Sequence, residues 1–189
     1  MARGVGRDHE GKRTAIRKGA AGYFAQHGFD RASMAGAAKA CGVSKALVYH
    51  YYDSKEALLF DIVNAHLTEL VDVVEAAEND GVRGLIGAIL LAYADADAEH
   101  KLQLDALGVL DDDMRAPLVA LQRRLVVILS TALADVAPDL DKQRLHATTM
   151  SVFGILNWYY MWHRPNKGLS RAEYSELAAD FVLGGLRAL

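Results

Sequence analysis

The sequence predicts an all-α protein. Apolar residues recur at helical spacing through nearly the whole chain, no run of four or more residues alternates convincingly between apolar and polar, and only three prolines interrupt 189 residues. Apolar residues make up 52% and charged residues 24%, a globular composition rather than a disordered one. The length suits one ordinary domain or a small domain joined to a larger one.

The elements follow in order. A first helix is predicted over about 12–27, with Ile16, Ala20, Tyr23 and Phe24 on one face and Gly28 ending it in the left-handed conformation. Ser33 caps a short second helix that ends near Cys41, and Gly42 supplies the sharp turn that follows. A third short helix runs from Ser44 to about Tyr52. The fourth opens at Asp53, where Asp-Ser-Lys-Glu reads as a capping box, and carries Leu58, Leu59, Ile62, His66, Leu67, Leu70 and Val74 as one stripe. Later helices are predicted at about 81–100, 102–110, 116–136, 141–163 and 170–188. Pro117 sits in a first turn, Pro165 is a stop, and Ser170 with Glu173 forms a second capping box. The total is about nine helices.

Charge divides the chain unevenly. Up to Glu56 ten basic residues face five acidic ones, and from Ala57 onward eleven face nineteen. A basic segment on an acidic protein suits a polyanion, although a solvated basic face has the same composition. Two short helices around a glycine turn, packed on a longer first helix, form a helix-turn-helix whose second short helix enters the major groove of DNA. The chemistry of that helix fits. Ser33 and Ser44 place hydroxyls at helix starts, and Lys45 adds charge. Ala46 is small enough to sit close to base edges, and Tyr49, His50 and Tyr51 reach toward phosphates one turn on. Lys55 would complete the clamp, whereas Val48 and Tyr52 fit the buried face. The DNA-binding set is therefore Ser33, Ser44, Lys45, Ala46, Tyr49, His50, Tyr51 and Lys55.

Arg13-Thr-Ala-Ile16, Ala20, Tyr23-Phe24, Gly28-Phe29, Ser33-Met34, Ala38, Gly42-Val43-Ser44, Val48-Tyr49-His50-Tyr51-Tyr52 and Ser54-Lys55-Glu56-Ala57-Leu58 agree in order and spacing with one family. The stretch resembles the N-terminal signature of the tetracycline-repressor (TetR/AcrR) family of bacterial transcription regulators, over about 45 residues. Two positions depart from it: Ala32 replaces the usual phosphate-touching threonine, and Ala37 replaces a larger aliphatic residue, which implies tighter helix packing. The resemblance implies a homodimer joined through the last two helices, with an effector pocket among the middle ones. Ala147, Ser151 and Gly154, together with Gly184 and Gly185, form small-residue stripes that suit close helix approach across an interface or within a core.

Phe60, His66, Tyr93, Leu104, Leu107, Met114, Phe153, Asn157 and Trp158 are the ligand-binding candidates, although for each plain core is the commoner role of such a residue. Leu125 belongs with them on the same grounds. Asn157 stands out because an amide on an apolar helix needs a partner. Asn157-Trp158, Trp162-His-Arg164-Pro165, Gly168-Leu169-Ser170 and Gly185-Leu186 resemble the tail of regulators that answer to acyl-coenzyme A thioesters. That resemblance adds Arg123 and Arg124, with Arg115, as cations for the coenzyme's phosphates.

The division expected is a DNA-binding domain over 1–56 and an effector-binding and dimerisation domain over 57–189. No paired metal ligands, nucleophile elbow or phosphate loop is present, so no enzyme, cofactor or metal is expected. The acidic run Asp111 to Asp113 reads as a loop and helix cap. The uncharged runs are too short to span a bilayer, the first 17 residues do not read as a secretory signal, and the single Cys41 suits a reducing cytoplasm. The function expected is a ligand-released repressor that binds a palindromic operator as a dimer. The rivals are a helical interaction module and a non-specific DNA-binding protein without an effector.

Overall fold

The structure, a computed structural model, describes residues 2–164 and 167–189. Among these it is all-α: α1 (Ala2–His27), α2 (Met34–Ala40), α3 (Lys45–Tyr51), α4 (Lys55–Ala76), α5 (Gly81–Ala92), α6 (Asp97–Ala106), α7 (Asp112–Val136), α8 (Lys142–Asn157), a single turn α9 (Tyr159–Trp162) and α10 (Arg171–Leu186). One 3-10 turn, Glu78–Asp80, precedes α5.

Several boundaries differ from the sequence reading for local reasons. The α1 helix starts about ten residues earlier, because nothing before Lys12 breaks it. The cap of α4 is Ser54 rather than Asp53, its hydroxyl accepting from Ala57 N at 3.0 Å. The stretch read as one helix over 81–100 is broken at Tyr93–Ala96, where Asp95 takes φ 60°. Asp111 caps α7 through Met114 N at 3.0 Å, which draws the helix start back to Asp112 and leaves Pro117 beyond the first turn. The helix expected over 141–163 ends at Asn157, and α9 continues after a break at Trp158. The Ser170–Glu173 capping box forms as predicted. Pro165 lies outside the described residues.

Two compact units result, Met1–His66 with Ala98–Leu118, and Leu67–Asp97 with Val119–Leu189. The division therefore falls inside α4 rather than after residue 56, and it is discontinuous in sequence. Polar ties explain why residues beyond 97 join the first unit: Lys101 Nζ donates to Ala25 O at 2.7 Å, and Lys18 pairs with Glu99 at 3.2 Å.

The first unit buries Ile16, Ala20 and Phe24 of α1 together with Met34, Ala37 and Ala38 of α2, Val48 of α3, Leu58, Leu59 and Ile62 of α4, and Leu102 and Ala106 of α6. The approach of α1 to α2 is close enough that a Cβ on Gly36 would lie 2.1 Å from the Tyr23 hydroxyl. Ala37, next in α2, is fully buried.

The second unit is built on Leu85, Ile86, Ile89 and Leu90 of α5, Leu125, Ile128, Leu129 and Leu133 of α7, Val152, Phe153 and Leu156 of α8, and Ala178, Ala179 and Val182 of α10. By length and composition alone α7 could cross a bilayer, with mean hydropathy 1.4 over its most apolar 18 residues. Its buried residues keep to one face, however, and the exposed Arg123 and Arg124 near its middle would be costly at a bilayer centre. That pattern is an amphipathic core helix.

Candidate functional site

The α2–turn–α3 segment is assembled by local rules. Ser33 Oγ accepts from Gly36 N at 3.1 Å and Ser44 Oγ accepts from Leu47 N at 3.1 Å, so each short helix has its side-chain cap. Between them Gly42 takes φ 67°, the left-handed conformation that lets Val43 N return to Ala38 O at 3.0 Å. With Val48 and Tyr52 buried beneath α3, its other face presents Ser44, Lys45, Ala46, Tyr49 and His50 to solvent, Tyr49 being 45% exposed. The Lys45 ammonium lies 5.5 Å from the Tyr49 ring centre, so charge and phenol occupy one patch. Ser33 is exposed at the start of α2. Tyr51 is half-buried: its ring lies tilted against His9 at 4.5 Å and its hydroxyl donates to His9 O at 3.3 Å, tying the end of α3 to α1.

A polar cluster missing from the sequence reading holds this element in place. The Tyr52 hydroxyl donates to Asp61 Oδ2 at 2.7 Å, and Arg13 Nε donates to the same oxygen at 3.0 Å. Arg17 adds a cation 3.7 Å from Oδ1. One buried carboxylate on α4 thus binds α1 and the end of α3 together. Burial, then the bond to Asp61, pushes the Tyr52 phenol well above its ordinary range, so it stays a donor. The bond to Asp61 likewise raises the Arg13 guanidinium. A signal was available: Asp61 sits among Leu58, Leu59, Ile62 and Val63, and a carboxylate in such company has to be paired.

Lys55, expected as the outer end of a phosphate clamp, is turned inward instead. Its ammonium donates to Phe29 O at 2.7 Å and Ala32 O at 3.2 Å, because the α1–α2 loop offers it carbonyls at the start of α4.

The ligand-binding candidates do not gather in one unit. Phe60, His66, Leu104, Leu107 and Met114 belong to the first, and Tyr93, Arg123, Arg124, Phe153, Asn157 and Trp158 to the second. His66 is buried 6.1 Å from the ring of buried His100; burial first, then His100 and Lys18, lower its pKa to about 4. Leu104 is 49% exposed and Trp158 59% exposed, so neither lines an enclosed space. Phe60, Leu107 and Met114 are half-buried, Leu125 and Phe153 buried. The structure brings Tyr93 and Asn157 together: the buried phenol donates to Asn157 Oδ1 at 2.9 Å, which supplies the partner that the amide needed. Arg124 Nε donates to Glu75 at 2.8 Å and Arg123 is exposed. Arg115 pairs with Asp112 within its own helix.

One further surface is distinctive. Along α8 and α10, Met150, Leu177 and Phe181 are exposed, Phe181 by 72%, beside an open groove that includes Ala147, Ser151, Ile155 and Gly185. A Cβ on Gly154, Gly184 or Gly185 would meet nothing within 4 Å. Packing inside the chain therefore does not require these glycines, although each weakens its helix by about 1 kcal/mol relative to alanine.

Two capped short helices around a positive-φ glycine, with a basic and aromatic face outward, define a DNA-binding protein of the helix-turn-helix class. Residues 16–62 match the family described as bacterial regulatory proteins, tetR family, and residues 75–186 match the tetracyclin repressor-like C-terminal domain. A TetR-family transcriptional regulator from Bordetella parapertussis 12822 superposes with TM-score 0.86 at 31% identity, covering 94% of this chain and 96% of that one. AibR, solved in complex with isovaleryl coenzyme A and operator DNA, superposes with TM-score 0.73 at 24% identity over 92% of this chain and 97% of that one. The HTH-type transcriptional repressor KstR2 of Rhodococcus jostii (strain RHA1) is 28% identical over 108 residues, 56% of this chain and 51% of that protein. The aligned part thus spans about half the length of that curated relative. The chain belongs to the TetR family of bacterial transcriptional regulators, which are not enzymes.

Proposed function

We propose that the protein is a cytoplasmic, ligand-responsive repressor that binds a palindromic operator as a homodimer and is released from it by an acyl-coenzyme A thioester. The observation that carries the reading is the α3 face, where Ser44, Lys45, Ala46, Tyr49 and His50 stand exposed over buried Val48 and Tyr52. Such a face can read base edges while Ser33 and Tyr51 contact the flanking backbone.

The dimer is supported by the unused glycines and exposed Phe181 on α8 and α10, which suit close approach of a second copy. The thioester is supported by the sequence of the tail, by the exposed Arg123, and by the precedent that AibR binds isovaleryl coenzyme A. Buried Tyr93 and half-buried Asn157 are polar groups of the second unit that a ligand there would engage by exchanging their mutual bond for its own. Such a ligand need bind only one state better, and a coupling of about 1 to 3 kcal/mol weakens operator binding about 5- to 150-fold.

Gel shifts on DNA recovered by selection from random sequence test the first half. Sequence-specific binding is expected, and equal weak binding to all duplexes would leave only a non-specific DNA-binding protein. A thermal-shift comparison of acyl-coenzyme A esters with the free acids tests the second. Stabilisation should require the coenzyme moiety; a shift from the free acid alone would exclude the thioester.

A further inference from the structure

The α1 helix runs about ten residues further toward the N-terminus than its apolar periodicity predicts, and the added turns reach the end of the DNA-reading element. Residues four apart share one face of a helix, so His9 stands one turn before Arg13 on the same side of α1. What Arg13 touches fixes where that side points. Its Nε donates to Asp61 Oδ2 at 3.0 Å and its Nη2 to Oδ1, and the same carboxylate takes the Tyr52 hydroxyl at 2.7 Å. The face is therefore turned toward the C-terminal end of α3.

His9 meets that end directly. Its ring centre lies 4.5 Å from that of Tyr51 and 6.4 Å from that of His50, and the Tyr51 hydroxyl donates to His9 O at 3.3 Å. The His50 and Tyr51 rings are 5.5 Å apart and edge-on. Three rings from two helices thus make one continuous edge, on which His9 and His50 are exposed and Tyr51 is half-buried. The next residue on α1, Glu10, lies 3.6 Å from the Arg17 guanidinium, so its charge is partly offset. A neutral imidazole carries one ring N–H in either tautomer, and phosphate oxygens are acceptors.

Resting on the reading of the α3 face given above, we propose that the DNA-contacting surface continues onto α1, where His9 donates from its ring to a phosphate oxygen of the strand that passes Tyr51 and His50. Phosphate contacts fix the register of a protein on the duplex and carry no sequence information of their own. His9 therefore contributes to every duplex the protein binds, whatever its sequence.

The test is a series at position 9 of the full-length chain, titrated against a duplex recovered by selection from random sequence and against a scrambled duplex. His9→Phe keeps a ring against Tyr51 but has no donor, and it should weaken binding to both duplexes about fivefold for each copy bound. His9→Gln keeps a donor without the ring and should stay within about twofold of the unaltered chain. His9→Lys should steepen the slope of log K against log salt by about 0.9 for each copy bound. Affinity kept by His9→Phe and lost by His9→Gln would mark a packing role for the ring, and equal affinity in the two overturns the contact as well. An unchanged slope in His9→Lys does the same.

Carbethoxylation with diethyl pyrocarbonate, read by mass spectrometry, tests the unaltered chain and so decides even where a variant does not fold. DNA should protect His9 and leave exposed His146 on α8 as reactive as before; equal labelling of His9 with and without DNA overturns the proposal. If the selected and scrambled duplexes are bound alike, sequence-specific reading fails, while the order of His9→Phe and His9→Gln on both still decides the contact. If neither duplex is bound, both readings fall.

Discussion

The two units hold their helices by different means. In the first, polar groups cross from element to element: part-buried Asp61 takes Arg13 and Tyr52, Lys55 takes the carbonyls of the α1–α2 loop, and at the surface Lys18 and Lys101 tie α1 to α6. In the second the helices meet mainly through apolar side chains, with the Tyr93–Asn157 bond among them, and charged pairs such as Arg83 with Glu176 lie at the surface. The second unit also leaves Phe181, Leu177 and Met150 uncovered. Directional bonds suit a unit that must present α3 in one orientation, because each has a narrow range of distance and angle. Apolar packing is less directional, and it suits a unit that has to accommodate a partner surface or a ligand.

The contrast can be broken most severely at Phe181. Phe181→Asp should give single-chain mass in sedimentation and cut operator affinity by roughly 100-fold or more, since one copy would engage each half-site alone. A dimer that survives would remove the α8–α10 face from the comparison. Next is Asp61→Ala, which leaves Arg13 and Tyr52 without their shared acceptor and should lower stability by about 3 kcal/mol in urea denaturation. Glu176→Gln, on the exposed pair, should leave the midpoint where it was. If the two variants behave alike, the polar ties of the first unit are not what holds it.

A pH series sharpens the contrast further. The pKa of His66 is lowered to about 4 from 6.5, so the unfolded chain binds the extra proton between those values. This stability is fully present above pH 6.5 and is lost as pH falls toward 4, roughly 3 kcal/mol in all. His66→Gln should flatten that part of the profile, and an unchanged slope would mean that His66 is readily protonated in the folded state. A smaller effect is expected within the second unit. Tyr93→Phe removes the hydroxyl that donates to Asn157 and should cost about 1 kcal/mol by thermal or urea unfolding. A gain in stability would show that the pair is strained for another purpose, such as ligand exchange.

What the sequence discloses and what it conceals follow the same division between local and distant. The α2–turn–α3 unit is legible because Ser33, Gly42 and Ser44 act within a few residues of themselves. Val48 and Tyr52 can be assigned to the buried face by spacing alone. The break at Tyr93–Ala96 is not legible, because its left-handed residue is an aspartate where glycine would be the usual marker, and the apolar pattern runs on through it. Lys55 after a helix cap looks the same whether it points to phosphate or to Phe29 O, since its partner lies 26 residues back. Tyr93 and Asn157, 64 residues apart, are each visible as polar residues in apolar helices, but their pairing is not. The discontinuous first unit is hidden for the same reason.

That discontinuity bears on how the protein comes to exist. Residues 98–118 belong to the same compact unit as 1–66, so the DNA-reading end cannot finish folding when its own helices leave the ribosome. It must wait for about fifty further residues, with the apolar positions that Leu102 and Ala106 will cover still open in the meantime. A nascent chain stalled just after α4 would therefore bear α3 without a finished support.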